Sequence, residues 1–271
     1  YPDTEVKSNV ITIAGINEGF AAVPTIGQML CKEMEDNKKD SHLVSITSED
    51  PRKERVDEGD EFPLIGAGEE LYTIRHKRNG RRLSITAEMI EENDVAGIEQ
   101  RVNALGEISA EIIEELTLRR VCDVDGSATS PDEPYVMHLN NVGTQLYNSS
   151  ANLPGERAPN GTRITNNALT SAANLDTARV RLATMLNYRL KRIAIPIART
   201  SLVVPTALYT TAFQILNSEM SPGVFNEKNM WGPGGEFQPR IVSSPKLDDI
   251  STTAWYLGWF ERQFVRKYKL K

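Results

Sequence analysis

The stretch "NDVAGIEQRVNALGEISAEIIEELTLRRV" constrains this chain more than any other. Ile98, Val102, Leu105, Ile108, Ile112 and Leu116 recur at spacings of four, three, three, four and four, which is one stripe along an α-helix. Asn93 and Asp94 offer side-chain oxygens to cap its first turn. At about 1.5 Å per residue, twenty-odd residues make a rod of roughly 40 Å. Gly97, Ala104, Gly106 and Ala110 thin the rod for close contact with another element. Whatever this chain folds into is organised around that rod.

The segments before it point outward. "HLVSITS" alternates apolar and polar residues as a half-exposed strand does, and "ELYTIRHKRNGRRLSIT" is again β-rich. Between them, Glu49 to Glu70 holds nine acidic and three basic residues, a balance of −6 that equals the net charge of the whole 271-residue chain. Such a segment buries too little apolar surface to fold alone and reads as a projecting loop. Two strands flanking it form an extended arm, which in water needs another surface to lie on. Asn79-Gly80 is a turn signal inside the basic run Arg75, Lys77, Arg78, Arg81 and Arg82.

Residues 1–41 read as an N-terminal arm, with "IGQMLCKEMEDNKKD" predicting one short helix. After Cys122 the chain is turn-rich, then "NLDTARVRLATMLNYRL" predicts a helix capped by Asn174, with Leu175, Ala178, Leu182 and Met185 on one face. "TSLVVP" predicts a short buried strand, and Pro205 suits the first turn of the helix after it. "VFNEKNMWGPGGEFQP" reads as a loop, and "RIVSSPKLDD", "AWYLGWF" and "FVRKYKLK" as a terminal set of strands. Trp255, Tyr256, Leu257, Trp259 and Phe260 are read as core. The order of elements makes the fold α+β.

Composition narrows function. Hydrophobic content of 39% and charged content of 25% are those of a globular protein. A net charge of −6 argues against a general nucleic-acid binder, and no apolar run approaches the ~20 residues that cross a bilayer. Cys31 and Cys122 are far apart and predict reduced, buried thiols rather than a disulfide framework. His42, His76 and His138 have no metal-site spacing. "DVDGSATSPDEP" places Asp123 and Asp125 as a calcium loop would, but its last position is Pro134 instead of a bidentate Glu. No phosphate-cradling loop or nucleophile elbow occurs. The expectation is therefore of no catalytic residue, cofactor or metal.

Several segments resemble the major capsid proteins of tailed bacteriophages, which have the Hong Kong ninety-seven type fold. "VDEGDEFPLIGAGEELYTI" and "GRRLSITAEMIEENDV" are similar to their extended loop (the E-loop) where it re-enters the body. "TSLVVPTALYTTAFQILNS" resembles their axial-domain strand and helix, and "IVSSPKLDDISTTAWYLGWF" their closing strands. The resemblance implies an N-terminal arm at 1–41 and an E-loop at 42–88. It implies a peripheral domain from 89–126 and 240–271 that contains the spine helix 94–121, and an axial domain at 127–239. It implies a shell subunit of the virion, assembled in the cytoplasm of a bacterial host into hexamers and pentamers around double-stranded DNA. Portal, scaffold or protease and decoration proteins are the further partners implied, and the family habit of N-terminal processing fits a chain that begins at Tyr1. An encapsulin-like compartment with the same fold and a soluble α/β enzyme remain the alternatives.

On that reading the contacts between subunits fall on the arm. Asp57, Glu58, Asp60, Glu61, Glu69 and Glu70 are expected to face basic side chains of a neighbour. Phe62, Leu64 and Ile65 are expected to bury on it as apolar anchors. Arg75, Lys77, Arg78, Arg81 and Arg82 are expected to meet acids of adjacent copies. The loop tip contains no lysine to weld the shell by an isopeptide bond, so no covalent crosslink is expected.

Overall fold

The computed structural model describes residues 17–23, 25–35, 40–48, 67–75, 95–123, 147, 161–186, 192–220 and 228–268. Among the described residues seven strands, β1 (Lys32–Glu35), β2 (Asp40–Ser48), β3 (Ala67–Arg75), β4 (Ser201–Val204), β5 (Arg240–Ser243), β6 (Tyr256–Gly258) and β7 (Val265–Tyr268), form three separate sheets. Besides the helical residues 17–22, the helices are α1 (Val95–Val121), α2 (Ala172–Ala183), α3 (Thr206–Asn217), α4 (Lys246–Ile250) and α5 (Phe260–Gln263). The mixture is α+β.

The centre is a three-stranded sheet in the order β5-β4-β6, with β4 parallel to β5 and antiparallel to β6. "SLVV" suits this position because its branched side chains pack on both faces of a pleat. Leu202 and Val204 join one apolar cluster with Leu169, Leu175, Ile215 and Trp231. Val203 points the other way and joins Leu30, Leu118, Val121, Val242, Leu247 and Phe264. One four-residue strand thus sits in two cores at once. Pro205 ends it with φ −65° and leads into α3, whose first N–H, of Thr206, donates to Asp248 Oδ1 at 2.8 Å. An anionic acceptor at that end also complements the helix dipole.

The long helix forms as its periodicity predicts, and its 27 residues make a rod of about 40 Å. It buries a different face from the expected stripe. Val102, Gly106, Ala110, Glu114, Leu118 and Val121 are buried, whereas Ile108 is 39% exposed and Leu105, Ile112 and Leu116 are half-buried. The reason is backbone contact. Residues 17–22 are helical and cross α1 so closely that a Cβ on Gly19 would stand 2.1 Å from the carbonyl oxygen of Asn103. Such closeness favours small residues on the buried side. At its C-terminal end α1 passes into Asp123 with φ 53°, and the Tyr147 and Tyr256 hydroxyls donate to the carbonyls of Val121 (2.7 Å) and Cys122 (3.4 Å). Those carbonyls would otherwise lack partners.

Three local expectations need correction. "IGQMLCKEMEDNKKD" forms no α-helix: Gly27–Leu30 is one 3-10 turn, and Lys32–Glu35 becomes β1, paired in parallel with β7. That pairing, with Arg266 Nη2 2.7 Å from Glu33 Oε1, overrides local helix preference. Asn174 does not cap α2; the helix begins at Ala172 after an extended Ser171, and Asn174 braces the turn by donating to the carbonyl of Ala168. The closing segments do not make one sheet, because β7 joins β1, and Lys246–Ile250 and Phe260–Gln263 are helical turns. Asn93, Asp94, Asp125, Pro134 and the Asn79-Gly80 turn lie outside the described residues.

Candidate assembly surface

The β2–β3 arm is the longest ladder among the described residues. β2 and β3 are antiparallel over nine register pairs, from Asp40 opposite Arg75 to Ser48 opposite Ala67. At about 3.4 Å per residue the ladder is roughly 30 Å long. Among the described residues this sheet holds only these two strands. Glu69 and Glu70 belong to β3, opposite Ile46 and Ser45, rather than to the projecting loop. The alternating pattern that starts at Leu71 is prolonged because each further residue of β2 finds a backbone partner. Asp57, Glu58, Asp60, Glu61, Phe62, Leu64, Ile65, Lys77, Arg78, Arg81 and Arg82 lie outside the described residues.

The N-terminal segment provides a second contact, within the chain. Gly27 N–H donates to Glu114 Oε2 at 2.8 Å across 87 residues of sequence. Glu114 is 3% exposed, and its Oε1 has no hydrogen-bond partner. A charged acceptor on a backbone N–H is a strong bond, and it fixes the register of residues 25–30 along α1. From the sequence, Glu114 was not singled out as a contact residue. Its spacing of four from Ala110 and from Leu118 places it on the thin face and was the available signal.

Two further surfaces were missed. On α3, Tyr209 and Phe213 are 43% and 49% exposed with rings stacked at 6.2 Å. At the start of the central sheet, the Arg199 and Arg262 guanidinium groups stand 5.5 and 5.4 Å from the centroid of the Trp259 ring. Trp259 had been read as core; it is half-buried. An Arg three residues after a Trp, at the start of a helical turn, was the signal.

Both thiols and the phenols of Tyr147 and Tyr256 are held protonated. Burial pushes the Cys31 thiol up to about 11 and the Cys122 thiol up to about 12, so neither is a nucleophile near neutral pH. Burial likewise raises Tyr147 and Tyr256, which stay protonated as donors. The cleft lined by Cys122, Val203, Pro205, Leu247 and Tyr256 has no room for a water molecule. Among the described residues no three His, Cys, Asp or Glu side chains are grouped to hold a metal ion, and no helix is long and apolar enough to cross a membrane.

A family model described as phage capsid protein matches residues 70–263, from within β3 to the end of α5. Searches of the curated proteins and of the solved structures gave no match. The matched span takes in the long helix, the central sheet and both apolar clusters apart from Leu30 and Phe264, more than half of the chain. On that match the chain belongs to a phage capsid protein family.

Proposed function

We propose that this chain is the major subunit of an icosahedral shell with the Hong Kong ninety-seven type fold, built from hexamers and pentamers and enclosing double-stranded DNA. The observation that carries the reading is the β2–β3 arm, nine pairs long and joined to no other strand among the described residues. A two-stranded ribbon gains its stability from a surface it lies on, and in a capsid family that surface belongs to another copy. In this reading residues 1–41 are the N-terminal arm, 42–88 the E-loop, 89–126 with 240–271 the peripheral domain, and 127–239 the axial domain. Asp57 to Glu70 and the basic run from Arg75 to Arg82 supply opposite halves of a contact repeated round each capsomer. Exposed charge pairs contribute only about 0–1 kcal/mol each, so repetition and register matter more than any one of them.

The subunit then works by position rather than by catalysis, and its partners are other copies, with portal, scaffold or protease and decoration proteins beside them. The test is to express the chain and examine it by size-exclusion chromatography and negative-stain microscopy. Closed particles of uniform diameter are expected, and only a stable small monomer would overturn the reading. Particles that carry protein cargo in place of DNA would move it to an encapsulin-like compartment.

A further inference from the structure

The central sheet ends, where β4 and β5 begin, in positive charge that no described carboxylate balances. Arg199 precedes β4, Arg240 opens β5 opposite Ser201, and Trp259 with Arg262 follows β6, whose last residue Gly258 is also opposite Ser201. All three arginines are exposed. Arg199 and Arg262 both lie against the Trp259 ring, and Arg240 Nη2 is 2.9 Å from the Met29 sulfur. Three other described arginines have a carboxylate beside them. Arg179 stands 2.7 Å from Asp176, Arg266 2.7 Å from Glu33, and Arg119 3.8 Å from Glu115.

Two cations held at one ring repel each other, and an anion reaching both would relieve that repulsion. The ring also limits where each guanidinium can point, so less freedom is lost when a carboxylate takes both its N–H groups. Planar carboxylates match this fork in two-point contacts. The same chain carries a segment of the opposite sign: Glu49 to Glu70, with nine acids against three bases. The arm that bears it extends roughly 30 Å from its root at Asp40 and Arg75. We infer that the Arg199–Trp259–Arg262 surface, flanked by Arg240, receives the acidic arm segment of a second copy of this chain. The inference rests on the proposed shell role and names the receiving half of the arm contact. Duplex DNA is the rival anion, and the net charge of −6 weighs against it.

Charge exchange in the full-length chain tests it. Arg199→Glu with Arg262→Glu is expected to raise the concentration needed for particle assembly by about tenfold. Glu58→Lys with Asp60→Lys and Glu61→Lys is expected to do the same. All five substitutions together are expected to restore assembly to within about twofold of the original. Because reversed charges can also harm folding, Arg199→Gln with Arg262→Gln serves as a second variant. It is expected to keep the urea midpoint of the unmodified chain while still assembling poorly. Assembly of the arginine variants at the original concentration overturns the inference alone, and so does failure of the combined exchange. Particles that form normally but lose their DNA overturn it in favour of a nucleic-acid contact. An unmodified chain that forms no particle overturns the shell role itself, and this inference with it.

Discussion

Among the described residues the two longest strands pair only with one another, and one of the shortest is almost wholly buried. β2 and β3 run nine residues each, whereas β4 has four residues, of which Leu202, Val203 and Val204 are each 0% exposed. Hydrogen bonds in a ladder largely replace bonds to water and add little net stability. Apolar area removed from water contributes about 25 cal/mol per Å². A strand sandwiched between two clusters therefore anchors the fold, whereas the proposed shell role gives the β2–β3 pair its surface on another copy.

The contrast breaks first at the sheet. Leu202→Ala leaves a void between β4, α2 and α3, and a loss of about 2–5 kcal/mol is expected in urea unfolding. A loss below about 1 kcal/mol would mean that β4 is not the anchor.

Alkaline pH probes the opposite face of the same sheet. Burial holds the Cys122 thiol up at about 12 against an ordinary value of 9.0, so the unfolded chain releases this proton first. The contribution is complete below pH 9 and falls as pH rises towards 12, because the folded state binds more protons there. Urea midpoints should therefore drop between pH 8.5 and 10.5 by more in the original chain than in Cys122→Ala, about 1.4 kcal/mol per pH unit at most. Equal slopes in the two proteins would assign the alkaline loss elsewhere.

The smallest effect on stability is expected at the arm. Leu71→Pro places a proline ring in β3 opposite Val44, yet the unfolding free energy should stay within about 0.5 kcal/mol while particle assembly is lost. A large fall in stability would place the arm inside the cooperative fold and erase the distinction.

How far the sequence disclosed this arrangement depended on what kind of contact held each part. The arm and the rod were legible, because alternation at 42–48 and a 3.6-residue period at 98–116 are local signals. The packing of α1 was only half legible. Gly106 and Ala110 had been noticed as thinning the helix, but the apolar stripe through Leu105, Ile108 and Ile112 drew attention to the wrong side. Hydrophobic pattern records which residues avoid water, and the close crossing at Gly19 is decided by backbone separation instead. Glu114 was hidden for the same reason, since its partner lies 87 residues away. β1 was missed because "KEME" has no strand pattern, and its pairing is imposed by β7 from the other end of the chain.

That last pairing has a practical consequence. Parallel alignment sets Tyr268 beside Glu35, and only the four residues 36–39 separate Glu35 from Asp40, the first residue of the arm. An extended chain covers at most ~3.6 Å per residue, so Tyr268 lies within roughly 25 Å of the arm's root. A fluorophore attached at position 268 is thus tethered close to the root of the arm. Paired with an acceptor dye on β3, it would turn the closing of a shell into an optical signal.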